Sequence, residues 1–216
     1  MRRRLISIAL ALCLLLALCA CGMPFTEVIK GGEACGEHLR LAFDETPARP
    51  LSLRVRGIVV TGALSKLSQY MTITIYDNIT RADDHGRITI ETNDNINDLI
   101  NVTFDEAANE IVIEPVRPGI AFSPNTMAIT VQLPIDNIIV EDGEWNVWYT
   151  LPARGLTSFS AELDGANDSY FNFAGEQLDS LNIVFNGADG AKLECNVNGA
   201  LLTLDGTGSI AMHGAE

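Results

Sequence analysis

Four phrases decide how this chain folds: PIDNIIVEDG (residues 134–143), LTSFSAELDG (156–165), LDSLNIVFNG (178–187) and ALLTLDG (200–206). Each is a short apolar run closed by an Asp or Asn and then a Gly. The closing glycines, Gly143, Gly165, Gly187 and Gly206, fall 22, 22 and 19 residues apart. A period near 20 in β-rich units is the pattern of a solenoid, in which no coil buries enough apolar surface alone and stacking supplies the rest. Glycine at each corner permits a positive φ, and the preceding Asp or Asn caps its own turn. Asp189-Gly190 and Asn198-Gly199 fall off the period, and a meander of hairpins with evenly spaced turns is the competing arrangement. The likeness of the four phrases favours stacking.

Upstream, the chain reads as one strand after another. Leu51 to Val60 alternates in part, Met71 to Tyr76 is rich in Thr and Ile, and Met127 to Leu133 alternates up to Pro134. Arg87 to Thr92, Leu99 to Asp105 and Ile111 to Glu114 complete the series, with turns expected at Asp83-Asp84-His85-Gly86 and Glu106-Ala107-Ala108-Asn109. No helical period persists beyond two turns. The expectation is an all-β domain over 51–216, with antiparallel strands first and solenoid coils from about residue 134.

The first 21 residues carry a different message. Arg2-Arg3-Arg4 precedes a 14-residue apolar run, Leu5 to Leu18, which is too short for a comfortable membrane span and suits a signal peptide over 1–20. Leu18-Cys19-Ala20-Cys21 resembles the bacterial lipobox, in which the cysteine after the cut carries the lipid. The resemblance assigns lipidation to Cys21, and several acyl chains at about 0.8 kcal/mol per buried methylene anchor stably. Residues 21–50, with Gly31-Gly32, Pro24, Pro47 and Pro50, read as a tether holding the domain off the membrane, although Leu39 to Phe43 has strand character.

Net charge is −14. Without Arg2, Arg3 and Arg4, 11 of the 14 basic residues face 28 acidic ones, a net −17 that disfavours nucleic acid. After cleavage Cys35 and Cys195 remain besides Cys21. They could pair outside the cytoplasm, but Leu193, Cys195 and Val197 share one face of an alternating run, which reads as a buried free thiol.

From about residue 55 to 216 the chain resembles the head GIN domain family of bacterial auto-transporter adhesin-like proteins, catalogued as a domain of unknown function. The likeness rests on Met71–Tyr76 with Ile88–Asn93, on Ile111-Val112-Ile113, and on the phrase from Ala128 through Pro134 to Ile138. The corners Asn186-Gly187-Ala188-Asp189-Gly190 and Gly206-Thr207-Gly208-Ser209-Ile210 complete it. The resemblance implies a right-handed β-helix-like fold, a lipid-anchored or secreted location and a role in adhesion. Asp142-Gly143-Glu144-Trp145 departs from the family in lacking the second small residue of the corner, and relatives commonly carry further coils beyond the counterpart of Ile210.

Chemistry-bearing constellations are sparse. His38, His85 and His213 have no partner at metal-ligand spacing, and no serine elbow, cysteine–base pair or phosphate loop occurs. Asp142, Asp164, Asn186 and Asp205 could align along a corner for Ca²⁺, but turn capping accounts for them and the nine-residue calcium repeat is missing. Trp145, Trp148 and Tyr149 are the densest aromatic cluster and the candidate ligand platform. Period-2 alternation sends Trp145 and Tyr149 to one side and Trp148 to the other, so at least one belongs to the core.

The reading is therefore a non-enzymatic module of the cell envelope, without cofactor or metal, held to the membrane by lipid. It would present a flat acidic face to a carbohydrate or a surface protein. A structural or sensor-linked lipoprotein is the main alternative, and a carbohydrate-cleaving enzyme on the same scaffold the lesser one. Replacing Cys21 tests the anchor: Cys21→Ser is expected to lose its lipid and leave the membrane fraction, and unchanged fractionation refutes the lipobox reading.

Overall fold

A computed structural model describes residues 27–61, 71–76, 86–151, 155–187, 192–198, 202–207 and 209–213. Among the described residues the chain is all-β, with mixed sheets and no closed barrel. Among the described residues the only helix is the single turn α1 (Asp94–Asn97).

The strands before Pro134 are β1 (Glu27–Lys30), β2 (Cys35–Ala42), β3 (Ser52–Arg56), β4 (Val59–Val60), β5 (Met71–Tyr76), β6 (Arg87–Asn93), β7 (Ile100–Asp105), β8 (Glu110–Pro115), β9 (Ile120–Ser123) and β10 (Met127–Gln132). After it come β11 (Asn137–Glu141), β12 (Asn146–Leu151), β13 (Ser158–Asp164), β14 (Ser169–Gln177), β15 (Ser180–Asn186), β16 (Lys192–Asn198), β17 (Leu202–Thr207) and β18 (Ser209–His213). They form an eight-stranded sheet, β18-β16-β14-β12-β5-β10-β6-β2, a seven-stranded sheet, β17-β15-β13-β11-β3-β8-β7, and a small sheet, β1-β9-β4.

From β10 onward successive strands alternate between the two large sheets. From β13 on, each pairs in parallel with the strand two places back: Ser160 with Asn137, Ser180 with Ser158, and Leu202 with Leu181. Those offsets of 23, 22 and 21 residues follow the sequence period closely. In-register parallel neighbours stand about 4.8 Å apart, so equivalent side chains of successive turns stack. On the inner side of the seven-stranded sheet Ile113, Val55, Val140, Leu163 and Phe185 form one such row, and all are fully buried. Facing them, Ile88, Val131, Ile75, Tyr149, Phe171 and Cys195 form a row of the eight-stranded sheet. Tyr149, Phe159, Phe171 and Phe173 pack as a four-ring cluster, with centroids 4.9–6.4 Å apart. The Tyr149 hydroxyl donates to the Ile135 carbonyl at 3.1 Å, which meets the need of a phenol buried this deeply.

The left-handed glycine corners are realised at two of the four positions. Gly143 (φ 105°) and Gly165 (φ 71°) take left-handed conformations, and a Cβ on Gly165 would stand 3.3 Å from the Gly143 carbonyl oxygen. The Gly165 amide donates to the Asn186 carbonyl at 2.8 Å, which continues the edge to Gly187. Gly206 departs: it lies inside β17 opposite Phe185 instead of at a corner.

Two further expectations are corrected. The strands before Pro134 are not a purely antiparallel prelude, because β3 lies parallel to both β8 and β11, and β5 parallel to both β10 and β12. Among the described residues, antiparallel pairing joins β2 to β6, β6 to β10, and β7 to β8 across the expected turn at Glu106–Asn109. The second correction concerns residues 27–42, which read as tether but are strands of the domain. β1 pairs with β9, and β2 with β6. The reason is side-chain hydrogen bonding from distant asparagines. Asn93 donates to the carbonyls of Gly32 (2.5 Å) and Ala34 (2.7 Å), Asn95 to Lys30 (2.8 Å) and Asn125 to Gly32 (3.0 Å). A Cβ on Gly31 would lie 2.2 Å from Asn93 Oδ1, so the glycine reflects close packing and not flexibility.

The stacked rows carry the stability. Leu163→Ala is expected to cost about 2–5 kcal/mol in urea unfolding, whereas Glu162→Ala, on the exposed face of the same strand, should change it by less than about 0.5 kcal/mol. Equal effects would contradict the assigned faces.

Candidate functional site

The alternation that buries Tyr149 turns Trp148 outward on the eight-stranded sheet, where it is 41 % exposed. Strand register then selects its neighbours: Trp148 pairs with Tyr170, and Tyr170 with Glu194. An exposed indole, a half-buried phenol and a carboxylate therefore occupy one row across β12, β14 and β16. Together with Asp168 and Ser169 they line a shallow concavity of about 220 Å³.

The start of β14 is held firmly. The Asn167 amide donates to the Trp145 carbonyl at 2.9 Å, and its side chain donates to Glu144 O at 3.0 Å, which fixes the turn presenting Asp168. Ser169 is buried; its hydroxyl donates to Asn167 O at 3.2 Å and accepts from the Val147 amide at 3.4 Å. Rigid strands and a locked turn thus set the spacing of the exposed groups.

The structure does not bring the sequence-derived platform together. Trp145 and Tyr149 are core residues at 0 % and 1 % exposure, and only Trp148 faces out. The Trp145 indole packs against the corner: a Cβ on Gly143 would sit 2.9 Å from its Nε1. Tyr170, Asp168 and Glu194 were missed. Their signal is the coil offset, because Tyr170 follows Trp148 by 22 residues, the same step as the glycine period.

On the outer face of the seven-stranded sheet three carboxylates beside β3 are paired with arginines. Arg54 bridges Glu110 (3.1 Å) and Glu141, and Arg56 meets Glu114 at 2.7 Å. Burial opposes the Arg54 charge, but Glu110 and Glu141 outweigh it and hold the guanidinium above its ordinary pKa. A larger groove of about 720 Å³ opens at the carboxyl ends of β3, β8 and β11, lined in part by Arg56, Val116, Arg117 and Glu141. Four of its charged side chains are occupied with one another or with neighbours: Arg56 with Glu114, Arg117 with Glu27, Glu141 with Arg54.

Among the described residues no three His, Cys, Asp or Glu side chains are grouped to hold a metal ion. His38 lies 3.2 Å from Asp94; His85 and Cys21 lie outside the described residues. Cys35 and Cys195 are free thiols, the first exposed and the second buried. Burial pushes the Cys195 thiol up to about 12, which removes it from nucleophilic chemistry at neutral pH.

No family model and no curated protein matches the chain. Three solved structures are similar at low identity. A candidate adhesin from Bacteroides fragilis is 14 % identical, covering 85 % of this chain and 99 % of its own, with a TM-score of 0.41. A candidate lipid-binding protein from Parabacteroides distasonis is 8 % identical over 86 % and 99 %, with a TM-score of 0.40. A candidate adhesin from Parabacteroides merdae is 6 % identical over 86 % and 98 %, with a TM-score of 0.34.

The two tryptophans should separate sharply on substitution. Trp145→Ala is expected to cost about 3–5 kcal/mol of stability, and Trp148→Ala less than about 1 kcal/mol, measured by denaturant unfolding. A Trp148→Ala cost as large as that of Trp145→Ala would place Trp148 among the structural residues and remove it as a candidate contact.

Proposed function

We propose that this chain is a lipid-anchored, extracytoplasmic binding module without enzymatic activity, which presents the outer face of its eight-stranded sheet to a carbohydrate or a surface protein. The observation that carries the reading is the row Trp148–Tyr170–Glu194. An aromatic pair standing outward on rigid parallel strands offers a flat contact of large area at low entropic cost. Among the described residues the concavity beside Trp148 is shallow and open to water, which supports binding over catalysis.

We read the scaffold as a right-handed β-helix. The alternation of strands between two sheets and their parallel pairing at a near-constant offset support this, as does the strong right-hand preference of parallel crossovers. The domain then starts at β1, with residues 1–20 as leader and 21–26 as link. Six residue steps separate Cys21 from Glu27, so a lipid on Cys21 would keep the domain within roughly 20 Å of the bilayer surface. On that geometry the module works close to the membrane and not at the end of a stalk.

Residues 22–216, probed on a glycan and matrix-protein array beside a Trp148→Ala copy, test the proposal. The expected result is a binding partner whose signal drops at least about tenfold in the variant, the loss of roughly 1.4 kcal/mol. Silence from a folded protein would shift the reading to a structural or sensor-linked lipoprotein.

A further inference from the structure

We infer that the outer face of the eight-stranded sheet between β10 and β14 binds a neutral, extended glycan chain of equatorial linkage, laid across the strands over Thr130, Thr74, Trp148 and Tyr170. The inference rests on the reading of this face as a binding surface and names the class of ligand. Strand register places the four residues in one row: Thr130 pairs with Thr74, Thr74 with Trp148, and Trp148 with Tyr170. Trp148 is exposed and the other three are half-buried, so solvent reaches all four. Among the described residues, the Thr74, Thr130 and Tyr170 hydroxyls have no hydrogen-bond partner. Each of them both donates and accepts, the same double capacity as a sugar hydroxyl.

The strip is also bare of charge. The chain has 28 acidic and 14 basic residues. Yet every outward residue of β10 and β5, from Ala128 to Gln132 and from Thr72 to Tyr76, is uncharged, as are Trp148 and Tyr170. Charged residues flank the strip, Arg87 and Glu91 on β6 and Glu194 on β16. An ionic ligand laid over it would lose hydration and find no counter-charge beneath it. The net −14 of the chain adds a penalty for anionic glycans. Charge complementarity therefore selects a neutral partner.

Strand spacing sets the shape of that partner. Neighbouring strands stand about 4.8 Å apart, close to the advance of one ring along a flat, equatorially linked chain, so one sugar falls over each strand. The steps from β10 to β14 span roughly 14 Å, the length of about three to four rings. Trp148 and Tyr170, on adjacent strands, offer aromatic surface to the C–H faces of two consecutive rings. Thr74 and Thr130 meet the hydroxyls of the next two. A chain with axial linkages coils away from a flat surface and touches the strip with fewer rings. A protein partner fits less well, because its anchor residues need desolvated pockets, and the concavity beside Trp148 is shallow.

Binding is measured on the full mature protein in a polyoxyethylene detergent, which carries no sugar, by calorimetry and by Trp148 fluorescence against the buried Trp145. The probes are cello-oligosaccharides and N-acetylated chito-oligosaccharides from dimer to hexamer, with maltotetraose as the coiling control and tetragalacturonate as the anionic one. At least one of the two series is expected to bind, with affinity rising roughly tenfold or more from dimer to tetramer and less than about threefold from tetramer to hexamer. Maltotetraose and tetragalacturonate should bind at least about tenfold more weakly than the tetramer. Trp148→Ala should abolish binding. Thr74→Val, which removes a hydroxyl at nearly constant shape, should weaken the tetramer roughly threefold or more and leave the dimer unchanged. Glu162→Ala, on the other sheet, should alter neither. Binding of one series alone supports the inference and identifies the ring substituent it prefers. Equal affinity for either control, affinity already complete at the dimer, or a tetramer indifferent to Thr74→Val overturns the inference while the binding surface stands. If neither series binds and an array partner still depends on Trp148, the inference is likewise overturned. Failure of both the oligosaccharides and the array removes the binding surface itself.

Discussion

Parallel backbone pairing at an offset of 21–23 residues is the constraint on which the molecule depends. A strand such as β13 has only Phe159, Ala161 and Leu163 to bury, too little for independent stability. Registered against β11 and β15, Ala161 sits between Ile138 and Ile183 and Leu163 between Val140 and Phe185, while Phe159 lies beside Leu181. Burial of about 25 cal/mol per Å² then accumulates along the row, and inward residues of the inner strands are shielded from both sides. The second large sheet closes the other side, and the four-ring cluster around Tyr149 and Phe171 fills the space between them. The corner glycines serve this register: a side chain at Gly165 would push against the Gly143 carbonyl and open the spacing that the rows require.

The same register acts on the outer faces, where it has chemical consequences. On β3, Arg54 and Arg56 fall beside Glu110, Glu114 and Glu141 because those strands are paired in step, and these three carboxylates are thereby engaged. On the opposite sheet the step from β12 to β14 sets Tyr170 beside Trp148, and the next step adds Glu194. The two faces differ in character where they are described: one carries arginine–glutamate pairs across β3, β8 and β11, the other an outward aromatic pair across β12 and β14.

Much of the fold was legible because its determinants are local. Alternation at Met71–Tyr76 and Met127–Gln132 marks strands with one face inward, and both are buried at every second residue. The turn at 106–109 follows from Asp105, whose carboxylate accepts from the Ala107 and Ala108 amides, and from Asn109 at φ 50°. The split of Trp148 from Trp145 and Tyr149 is period-2 geometry. The candidate site was half legible: Trp148 stood out as an aromatic, but Tyr170 did not, since nothing within ten residues of either names the other. The glycine-rich segment around Gly31 misled for a related reason. Glycine signals flexibility only where nothing packs against it, and here Asn93 does.

The sequence alone thus determined the strand character, the inward and outward assignment of side chains and the corners at Gly143 and Gly165. These depend on neighbours one to four residues away, or on a period repeated often enough to be counted. Tertiary structure decided which strands pair, that β1 and β2 belong to the sheets, that Gly206 lies within a strand, and which side chains stand beside Trp148. Those outcomes turn on contacts between residues tens of positions apart, such as Asn93 with Gly32 and Arg54 with Glu141. Backbone hydrogen bonding fixes the distance between neighbouring strands but not their identity; the fit of one row of side chains over the next makes that choice.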